Sequence, residues 1–382
     1  MIPLSVPNLT GNEKKYLDEC IDTTFVSSVG QFVTRFEEMT AEISRADYAV
    51  ATSSGTTALH TALMSVGVGA GDIVLIPSYT FIATANAVAH CGAEPWCIDI
   101  DETSWTMSAA ALESELEKKT ETIDGKLYHK LKKKRVAAIM PVFTLGNPAD
   151  MSEIKRIADS YGLPVIVDAA AAIGTTYGQD APAKWADAIV YSFNGNKTIT
   201  CGGGGAVIGN NEAVIRRARH LSTTARVGSE YDFDEVGYNY RMTNIQAAVG
   251  CAQMERIEEF IDKKRYIREY YRQHLCDVEG ISFFPESPWG KSTCWFSGIV
   301  IDKNPEISVR EVCSRLKNEG IESRTFWKPV HLQQPYRTVD CSSMEITDKI
   351  WDKIVTLPCS TGITDEELET TVSAVKRIVG QD

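Results

Sequence analysis

One lysine in the sequence sits where it could form a covalent bond to a ligand. Lys197 ends the segment Ser192-Phe193-Asn194-Gly195-Asn196-Lys197, which follows an apolar stretch and precedes four consecutive glycines at 202–205. A lysine held in a closed site can lose its proton and form a Schiff base with a carbonyl compound. Glycines in a row let a backbone pass close to a bulky ligand. The segment therefore favours a Schiff-base site over a solubilising lysine.

A second segment has the pattern of an anion site. Ser53-Ser54-Gly55-Thr56-Thr57 follows a predicted strand and opens a predicted helix. The free N–H groups and the positive end of the helix dipole at such a turn attract anions. Gly55 allows close approach of the backbone, and the hydroxyls add donors. The same pattern also suits an ordinary helix N-cap, and the residues alone favour that simpler interpretation.

A carboxylate lies at the end of another predicted strand. Asp168 follows Val165-Ile166-Val167, and ligands of open α/β sheets bind beyond the carboxyl ends of their strands. Asp168 could hold a metal, cap the next helix or pair with a protonated ring nitrogen. Its position leaves helix capping and ligand binding equally open.

Two common nucleotide-binding motifs and the common metal motifs are not found. The phosphate-loop pattern GxxxxGK[ST] fails because Asn196 stands where its second glycine should be, and no GxGxxG follows a predicted strand. The ten cysteines form no CxxC pair and no Cys/His spacing that suits zinc. We therefore expect no metal and no nicotinamide dinucleotide, and we expect reduced thiols in the cytoplasm.

Charge and composition restrict the partners. The chain of 382 residues carries 39 basic and 51 acidic side chains, a net charge of -12 that disfavours nucleic acid. Its first residues lack the basic region and apolar run of a signal peptide. The stretch 48–93 contains one formal charge, Asp72, but its many polar residues, glycines and prolines indicate a buried core rather than a membrane span.

Alternating apolar strands and helices predict an α/β fold. Continuous apolar strands that alternate with helices indicate a mostly parallel sheet with both faces covered. Predicted strands are 48–52, 73–76, 95–100, 136–140, 165–167, 188–192 and 205–208, and predicted helices are 12–20, 35–44, 56–66, 81–91 and 151–161.

The second part of the chain has a different texture. A charged helix over Met254–His274 is predicted to connect a large domain, 1–250, to a smaller α/β domain within 251–382. The basic run Lys126–Arg135 lies between two elements. A solvated loop is the simpler interpretation, and contact with a substrate diphosphate is the alternative.

Five segments occur in order along the chain: Ser53–Thr56, Pro77–Phe81, Asp168–Ala170, Ser192–Lys197 and Gly237–Arg241. Together they resemble the DegT/DnrJ/EryC1/StrS family of sugar aminotransferases, and the likeness extends from the N-terminus to Trp327-Lys328-Pro329-Val330-His331-Leu332-Gln333. Ser-Phe-Asn-Gly-Asn-Lys with four glycines resembles the branch that makes 4-amino sugars of the bacillosamine and legionaminic-acid routes.

The resemblance implies a fold, a cofactor and an assembly. The fold would be fold type I of the pyridoxal 5'-phosphate (PLP) enzymes, similar to aspartate aminotransferase, in a homodimer with both active sites at the interface. Lys197 would hold PLP, Asp168 would pair with its pyridine nitrogen, and Phe81 would stack on its ring. The phosphate would be bound by Gly55, Thr56, Ser192 and the partner subunit's Asn239.

Two further residues are candidates for substrate binding. Arg241 could bind the substrate or form an ion pair between subunits, and His331 could bind the diphosphate or have a purely structural role. The chain also departs from the family pattern at two positions. Ala171 stands where many members have His or Gln, which removes a polar neighbour of the ring oxygen of PLP. Gly203 stands where many members have Glu, as in the branch named above.

The resemblance implies a ping-pong transamination. L-Glutamate would donate an amino group, with Lys197 as acid and base, to a nucleotide-linked 4-keto-6-deoxy sugar. The most specific expectation is UDP-2-acetamido-4-keto-2,4,6-trideoxyhexose, aminated at C4 for a surface glycan or glycoprotein. One rival is a C3 dehydratase of the same fold, which typically has His in place of Lys197. A non-catalytic regulatory protein and a nicotinamide-dependent oxidoreductase are the others.

Overall fold

The computed structural model describes residues 1–302 and 307–380. None of the helices in these ranges is both long enough and apolar enough to cross a membrane. The helices are α1 (Glu13–Asp22), α2 (Gln31–Ser44), α3 (Gly55–Ser65), α4 (Ala83–His90), α5 (Ala109–Lys119), α6 (Met151–Tyr161), α7 (Glu212–Ser222), α8 (Asn244–Met254), α9 (Ile257–Leu275), α10 (Val309–Asn318), α11 (Glu345–Ile350) and α12 (Asp365–Val379).

The strands are short, and six of those in the described residues are buried along their whole length. They are β1 (Tyr48–Thr52), β2 (Ile73–Pro77), β3 (Glu94–Ile98), β4 (Thr120–Ile123), β5 (Lys126–His129), β6 (Val136–Ile139), β7 (Ile166–Asp168), β8 (Ala188–Ser192), β9 (Gly205–Gly209), β10 (Arg226–Val227), β11 (Asp232–Phe233), β12 (Ile281–Phe283), β13 (Ser297–Ile301), β14 (Arg324–Thr325) and β15 (Ile354–Leu357).

A mostly parallel sheet forms the centre of the molecule. Its strand order is β3-β2-β6-β7-β8-β9-β1, and β9 runs in the direction opposite to the other six strands. Between β6 and β7 the pairing is reduced to two parallel bridges, Ile139 with Val165 and Val142 with Asp168. The sheet thus brings the carboxyl ends of β2, β6, β7 and β8 to one edge, which is where such sheets bind ligands.

Successive residues of the strands face two different cores. In β2, Ile73 and Leu75 pack into one apolar cluster, whereas Val74 and Ile76 pack into the other. Helices α2, α6 and α8 cover the first face, and α3, α4 and α7 cover the second. Because both faces are covered, the strands read as continuous apolar runs, as the sequence predicted.

A second sheet packs on a third apolar cluster. Its order is β12-β13-β15-β14, all antiparallel, and it is covered by α9, α10 and α12. Leu4, Tyr79 and Leu145, which are distant from it in sequence, also belong to this cluster. We propose that this sheet is the smaller domain predicted for 251–382, joined through these contacts to the larger one.

The predicted helix over Met254–His274 corresponds to α9, and the prediction placed its start three residues too early. Met254 ends α8, and α9 begins at Ile257. Glu255 lies between the two helices, and its carboxylate accepts hydrogen bonds from Tyr16 (2.6 Å) and Arg35 (2.6 Å). The helix start was misplaced because these partners come from α1 and α2, which the local pattern does not reveal.

Phe81 lies before a helix rather than on one. Helix α4 begins at Ala83, and Phe81 precedes it with 55% of its surface exposed. The backbone N–H of Thr84 donates to Phe81 O (3.1 Å) in the turn that leads into α4. The prediction of a helix over 81–91 was therefore wrong by two residues at its start, and Phe81 projects from the turn.

The basic run 126–135 is not a plain loop. Its first part is strand β5, paired with β4 in a hairpin. Lys134 contacts Glu94 (2.8 Å) and Arg135 contacts Asp72 (2.5 Å), at the amino ends of β3 and β2. The ligand-binding edge of the sheet lies at the opposite, carboxyl ends of these strands. Residues 126–135 therefore do not reach the ligand-binding edge of the same subunit.

The carboxyl edge of the sheet depends on a close backbone approach. A β-carbon at Gly205 would lie 2.5 Å from the carbonyl oxygen of Ser54 and 2.8 Å from the backbone nitrogen of Gly55. At Gly203 the nearest atom would be 3.4 Å away, on the side chain of Gln246. Gly205 therefore lets β9 lie against the start of α3.

We expect Gly205→Ala to lower the free energy of unfolding by about 1–3 kcal/mol, because the clash is with backbone that cannot rotate away. The matched control Gly203→Ala should change it by less than about 1 kcal/mol. Urea unfolding followed by circular dichroism would measure both. Equal losses in the two variants would contradict the packing argument.

Candidate active site

A cavity of about 380 Å³ opens at the carboxyl edge of the central sheet. Residues from the central sheet form one side of it, and residues from 295–327 form the other. Its lining comprises Ser54, Gly55, Thr56, Leu59, Thr80, Phe81, Ala83, Thr84, Val142, Phe143, Asp168, Ala170, Ala171, Ser192, Asn194, Asn196, Lys197, Gly203, Gly204, Trp295, Phe296, Arg324, Thr325, Phe326 and Trp327.

Lys197 is placed by the turn that links β8 to β9. The backbone of Phe193 donates to Gly204 O (2.9 Å) and accepts from Cys201 N (2.9 Å), which closes the turn at its base. The Phe193 side chain is fully buried against Phe36, so the turn is anchored in the core. Lys197 N donates to Asn194 O (3.0 Å) at the tip. This anchored turn therefore fixes the position of Lys197.

Burial changes the acid–base behaviour of Lys197. It lowers the pKa of the lysine from 10.5 to about 8, and the charge of Asp168 opposes this shift. A lysine with this pKa has a larger neutral fraction near pH 7 than an exposed lysine, and only the neutral amine is a nucleophile. The site can therefore form a Schiff base at neutral pH.

Asp168 is buried and held by two donors. Thr84 Oγ1 donates to one carboxylate oxygen (2.7 Å), and Ala170 N donates to the other (3.0 Å). Burial raises the pKa of Asp168, while these hydrogen bonds and the charge of Lys197 act in the opposite direction. A buried carboxylate of this kind favours a cationic partner, because an unpaired buried charge is costly.

The first turn of α3 has the donors of an anion site. Ser54 caps the helix by accepting from Thr57 N, and Thr57 Oγ1 accepts from Ser54 N. This capping box leaves the N–H groups of Gly55 and Thr56 without an acceptor inside the helix. A β-carbon at Gly55 would lie 2.7 Å from Ser192 Cβ, so glycine is required where the two segments meet. The turn can therefore serve both as a helix N-cap and as an anion site.

The opposite wall of the cavity is aromatic. Trp295, Phe296, Phe326 and Trp327 pack on one another, with ring centroids 4.2–6.5 Å apart. Across the mouth, the ring of Phe81 lies 6.1 Å from that of Trp327. Such a wall excludes water and offers flat apolar surfaces to a planar ligand.

Trp295 joins this wall to the lysine turn. Its indole Nε1 donates to Asn196 O (2.7 Å), and Lys197 Nζ lies 3.8 Å from the centroid of its ring. Its carbonyl oxygen accepts from Lys264 Nζ (2.9 Å), a buried cation. Trp295 therefore couples the position of Lys197 to the packing of the second sheet.

Six of the predicted site residues line one cavity. Sequence reasoning missed Thr84 and Trp295, because each acts through a partner that is distant in sequence. Arg324 was missed as well, since the nearest segment of the family resemblance begins only at Trp327. The six that meet are Gly55, Thr56, Phe81, Asp168, Ser192 and Lys197.

Three predicted site residues lie outside this cavity. Asn239 is exposed, and its backbone pairs with Thr223, whereas the backbone of Arg241 pairs with Thr52. His331 has partners on both ring nitrogens, since Nδ1 lies 2.6 Å from Ser78 Oγ and Nε2 lies 3.2 Å from Asp348 Oδ1. These contacts within the same chain support a structural role for His331.

The donors of the cavity fit PLP. The free N–H groups at α3 and the Ser192 hydroxyl suit a phosphate, and buried Asp168 suits a protonated ring nitrogen. Lys197, with its lowered pKa, suits the aldehyde carbon. At Ala171, which is 8% exposed, the wall offers only a methyl group, so its side chain provides no polar neighbour for the ring oxygen.

Comparison with known proteins agrees with this geometry. The family model described as DegT/DnrJ/EryC1/StrS aminotransferase family matches residues 7–376. A GDP-perosamine synthase of Caulobacter vibrioides is 34% identical over 380 residues, which cover 99% of this chain and 98% of that protein.

Solved structures show the same fold. A DegT DnrJ EryC1 StrS aminotransferase from Brucella abortus has a TM-score of 0.87 and 26% identity, covering 97% of this chain and 96% of its own. A Streptococcus pneumoniae protein in its PLP form has a TM-score of 0.86 and 22% identity, covering 99% and 98%. The predicted fold type I is confirmed. The chain belongs to the DegT/DnrJ/EryC1/StrS aminotransferase family and is a PLP-dependent nucleotide-sugar aminotransferase.

Proposed function

We propose that the protein transfers the amino group of L-glutamate to C4 of UDP-2-acetamido-4-keto-2,4,6-trideoxyhexose. The observation that carries the transamination step is a buried lysine of lowered pKa in one cavity with a buried aspartate and a free helix N-terminus. These are the three groups that a phosphorylated pyridine aldehyde needs.

We assign the following roles within the cavity. Lys197 binds PLP covalently, Asp168 binds its pyridine nitrogen, and Phe81 contacts its ring. PLP supplies an electron-withdrawing ring and carries the amino group between the two substrates. Once displaced by the amino donor, Lys197 Nζ would take the proton from the α-carbon of the donor and pass it to the C4′ carbon of the cofactor. Gly55, Thr56 and Ser192 bind the phosphate.

Gly203 supports the choice of an acetamido sugar. It lines the cavity, and a β-carbon there would make ordinary van der Waals contact with the side chain of Gln246 (3.4 Å), so the position accepts a methyl group without a clash. Family members that have Glu at this position would place a carboxylate in the same space. Glycine leaves room for a bulkier, neutral substituent on the sugar, such as an acetamido group.

We further propose a homodimer with shared active sites. Asn239 and Arg241 follow the hairpin β10–β11. Tyr231 and Phe233 in this hairpin and Val236 just after it are 53–83% exposed. An exposed apolar hairpin suits burial against a second copy of the chain. In that arrangement Asn239 of the partner subunit binds the phosphate.

We place the reaction in the cytoplasm, which suits the cysteine pattern.

The first prediction concerns Lys197. The wild-type protein loaded with PLP should show the visible absorbance of a lysine-bound cofactor, and L-glutamate should convert it to the pyridoxamine form. Lys197→Ala should lose both features, because no other lysine lines the cavity among the described residues. Lys263→Ala, which removes a partly buried lysine of α9 outside the cavity, is the control. Retention of the conversion in Lys197→Ala would refute the assignment.

A second prediction concerns the sugar. We expect higher kcat/KM with the UDP-acetamido 4-keto sugar than with GDP-4-keto-6-deoxymannose. Gly203→Glu should lower kcat/KM for the acetamido sugar at least about 10-fold, since a side chain and a charge enter its space. Gly203→Ala is the matched control. Faster turnover of the GDP sugar by the wild type would replace the proposed acceptor with the class named for the Caulobacter relative.

A third prediction concerns the shared site. Asn239→Asp should weaken phosphate binding, because it brings a negative charge to an anion. Co-expression of Lys197→Ala with Asn239→Asp, under two affinity tags, should give hybrid dimers with one restored site and about half of the wild-type activity. If both residues served one subunit's site, the hybrid would stay inactive.

A further inference from the structure

One cation reaches the cavity from the second sheet. Arg324 lies on the short strand β14, and its backbone pairs with Thr356 of β15. Thr356 Oγ1 also donates to Arg324 O (3.0 Å). Arg324 lines the same cavity as Lys197 and Asp168. Its backbone is therefore fixed, while its exposed side chain stands at the cavity.

The charges of the cavity leave Arg324 available. Among the described lining residues, Lys197 and Arg324 are the cations and Asp168 is the carboxylate. Lys197 and Asp168 influence each other's pKa. The guanidinium carbon of Arg324 lies 5.9 Å from the ring centroid of Phe296, and no ion pair within residues 1–302 and 307–380 involves it.

Most arginines of the chain are differently placed. Arg135, Arg217 and Arg219 each contact a carboxylate, and buried Arg268 donates to a carbonyl oxygen. An arginine that lines a cavity without such a partner, beside an aromatic ring that limits its motion, is arranged to bind an anion from solution.

We propose that Arg324 binds a carboxylate of the amino-acid donor. A guanidinium matches a carboxylate with two parallel hydrogen bonds. The α-carboxylate of an amino acid is attached to the carbon that reacts, so its partner must lie in the same cavity as Lys197. The diphosphate of a nucleotide sugar is separated from the reacting carbon by the sugar ring, and so needs a partner farther out. This inference rests on the proposed transamination.

The test uses the full-length, PLP-loaded protein and two measurements. Calorimetry gives the dissociation constant of glutarate, an unreactive dicarboxylate, and stopped-flow absorbance gives the constant for L-glutamate in the donor half-reaction. Arg324→Gln should raise both constants about 10- to 100-fold, as expected for a lost charge-assisted hydrogen bond. Arg324→Lys should recover part of the loss, since it keeps the charge but not the fork.

The matched control is Arg337→Gln. Arg337 is exposed and lies outside the cavity, so its loss should leave both dissociation constants within about 2-fold of the wild-type values. The KM for the nucleotide sugar should also be unchanged in Arg324→Gln. These expectations separate a local contact from a general effect of net charge.

Two results would overturn the proposal. In the first, Arg324→Gln raises the KM for the nucleotide sugar and leaves glutarate and L-glutamate binding unchanged, so that the cation serves the diphosphate. In the second, the variant binds glutarate as the wild type does. Failure of the wild type to react with any amino acid would instead refute the proposed function, and glutarate binding would still decide the role of Arg324.

Discussion

The burial of Lys197 together with Asp168 is the interaction on which the rest of the site depends. Removing both groups from water penalises their charged forms, and this shifts the pKa of Lys197 down and that of Asp168 up. Each charge partly offsets the shift of the other. The fold must therefore hold both side chains firmly, because a small displacement would let water in and restore ordinary pKa values. Thr84 provides this support for Asp168, and the closed turn around Phe193 provides it for Lys197.

The second sheet contributes the cover over this pair. Its aromatic wall is held from behind by two buried cations, Lys264 and Arg268, which donate to the carbonyl oxygens of Trp295 and Phe296. Lys264 also donates to Cys359 O (2.6 Å). A buried ammonium group without hydrogen bonds would cost several kcal/mol, so these carbonyls and the cations fix each other. These hydrogen bonds therefore hold the aromatic wall in a fixed position over Lys197 and Asp168.

The sequence predicted those parts of the molecule in which local pattern and tertiary packing agree. Strands β1 and β8 and helix α6 begin and end as predicted, because their apolar periodicity and flanking residues match their burial. The positions of Gly55, Asp168 and Lys197 at one edge follow from the order of parallel strands. Trp295 and Arg324 could not be found in the same way, since packing between two sheets brings them to the cavity. The break at Glu255 has the same origin.

The residues that could select a substrate are separate from those that set the pKa of Lys197. Gly203 lines the cavity at a position where a β-carbon would meet no atom closer than 3.4 Å, and Arg324 lies on an edge strand. Neither belongs to the buried supports of Lys197 or Asp168. A substitution at Gly203 can thus change the space offered to a sugar without exposing the lysine to water. This division would allow a chain 34% identical to a GDP-perosamine synthase to keep the same amino-transfer chemistry with the acetamido sugar that we propose. It also predicts where to look, since replacements that alter selectivity should cluster on the rim of the cavity rather than around Phe193 and Thr84.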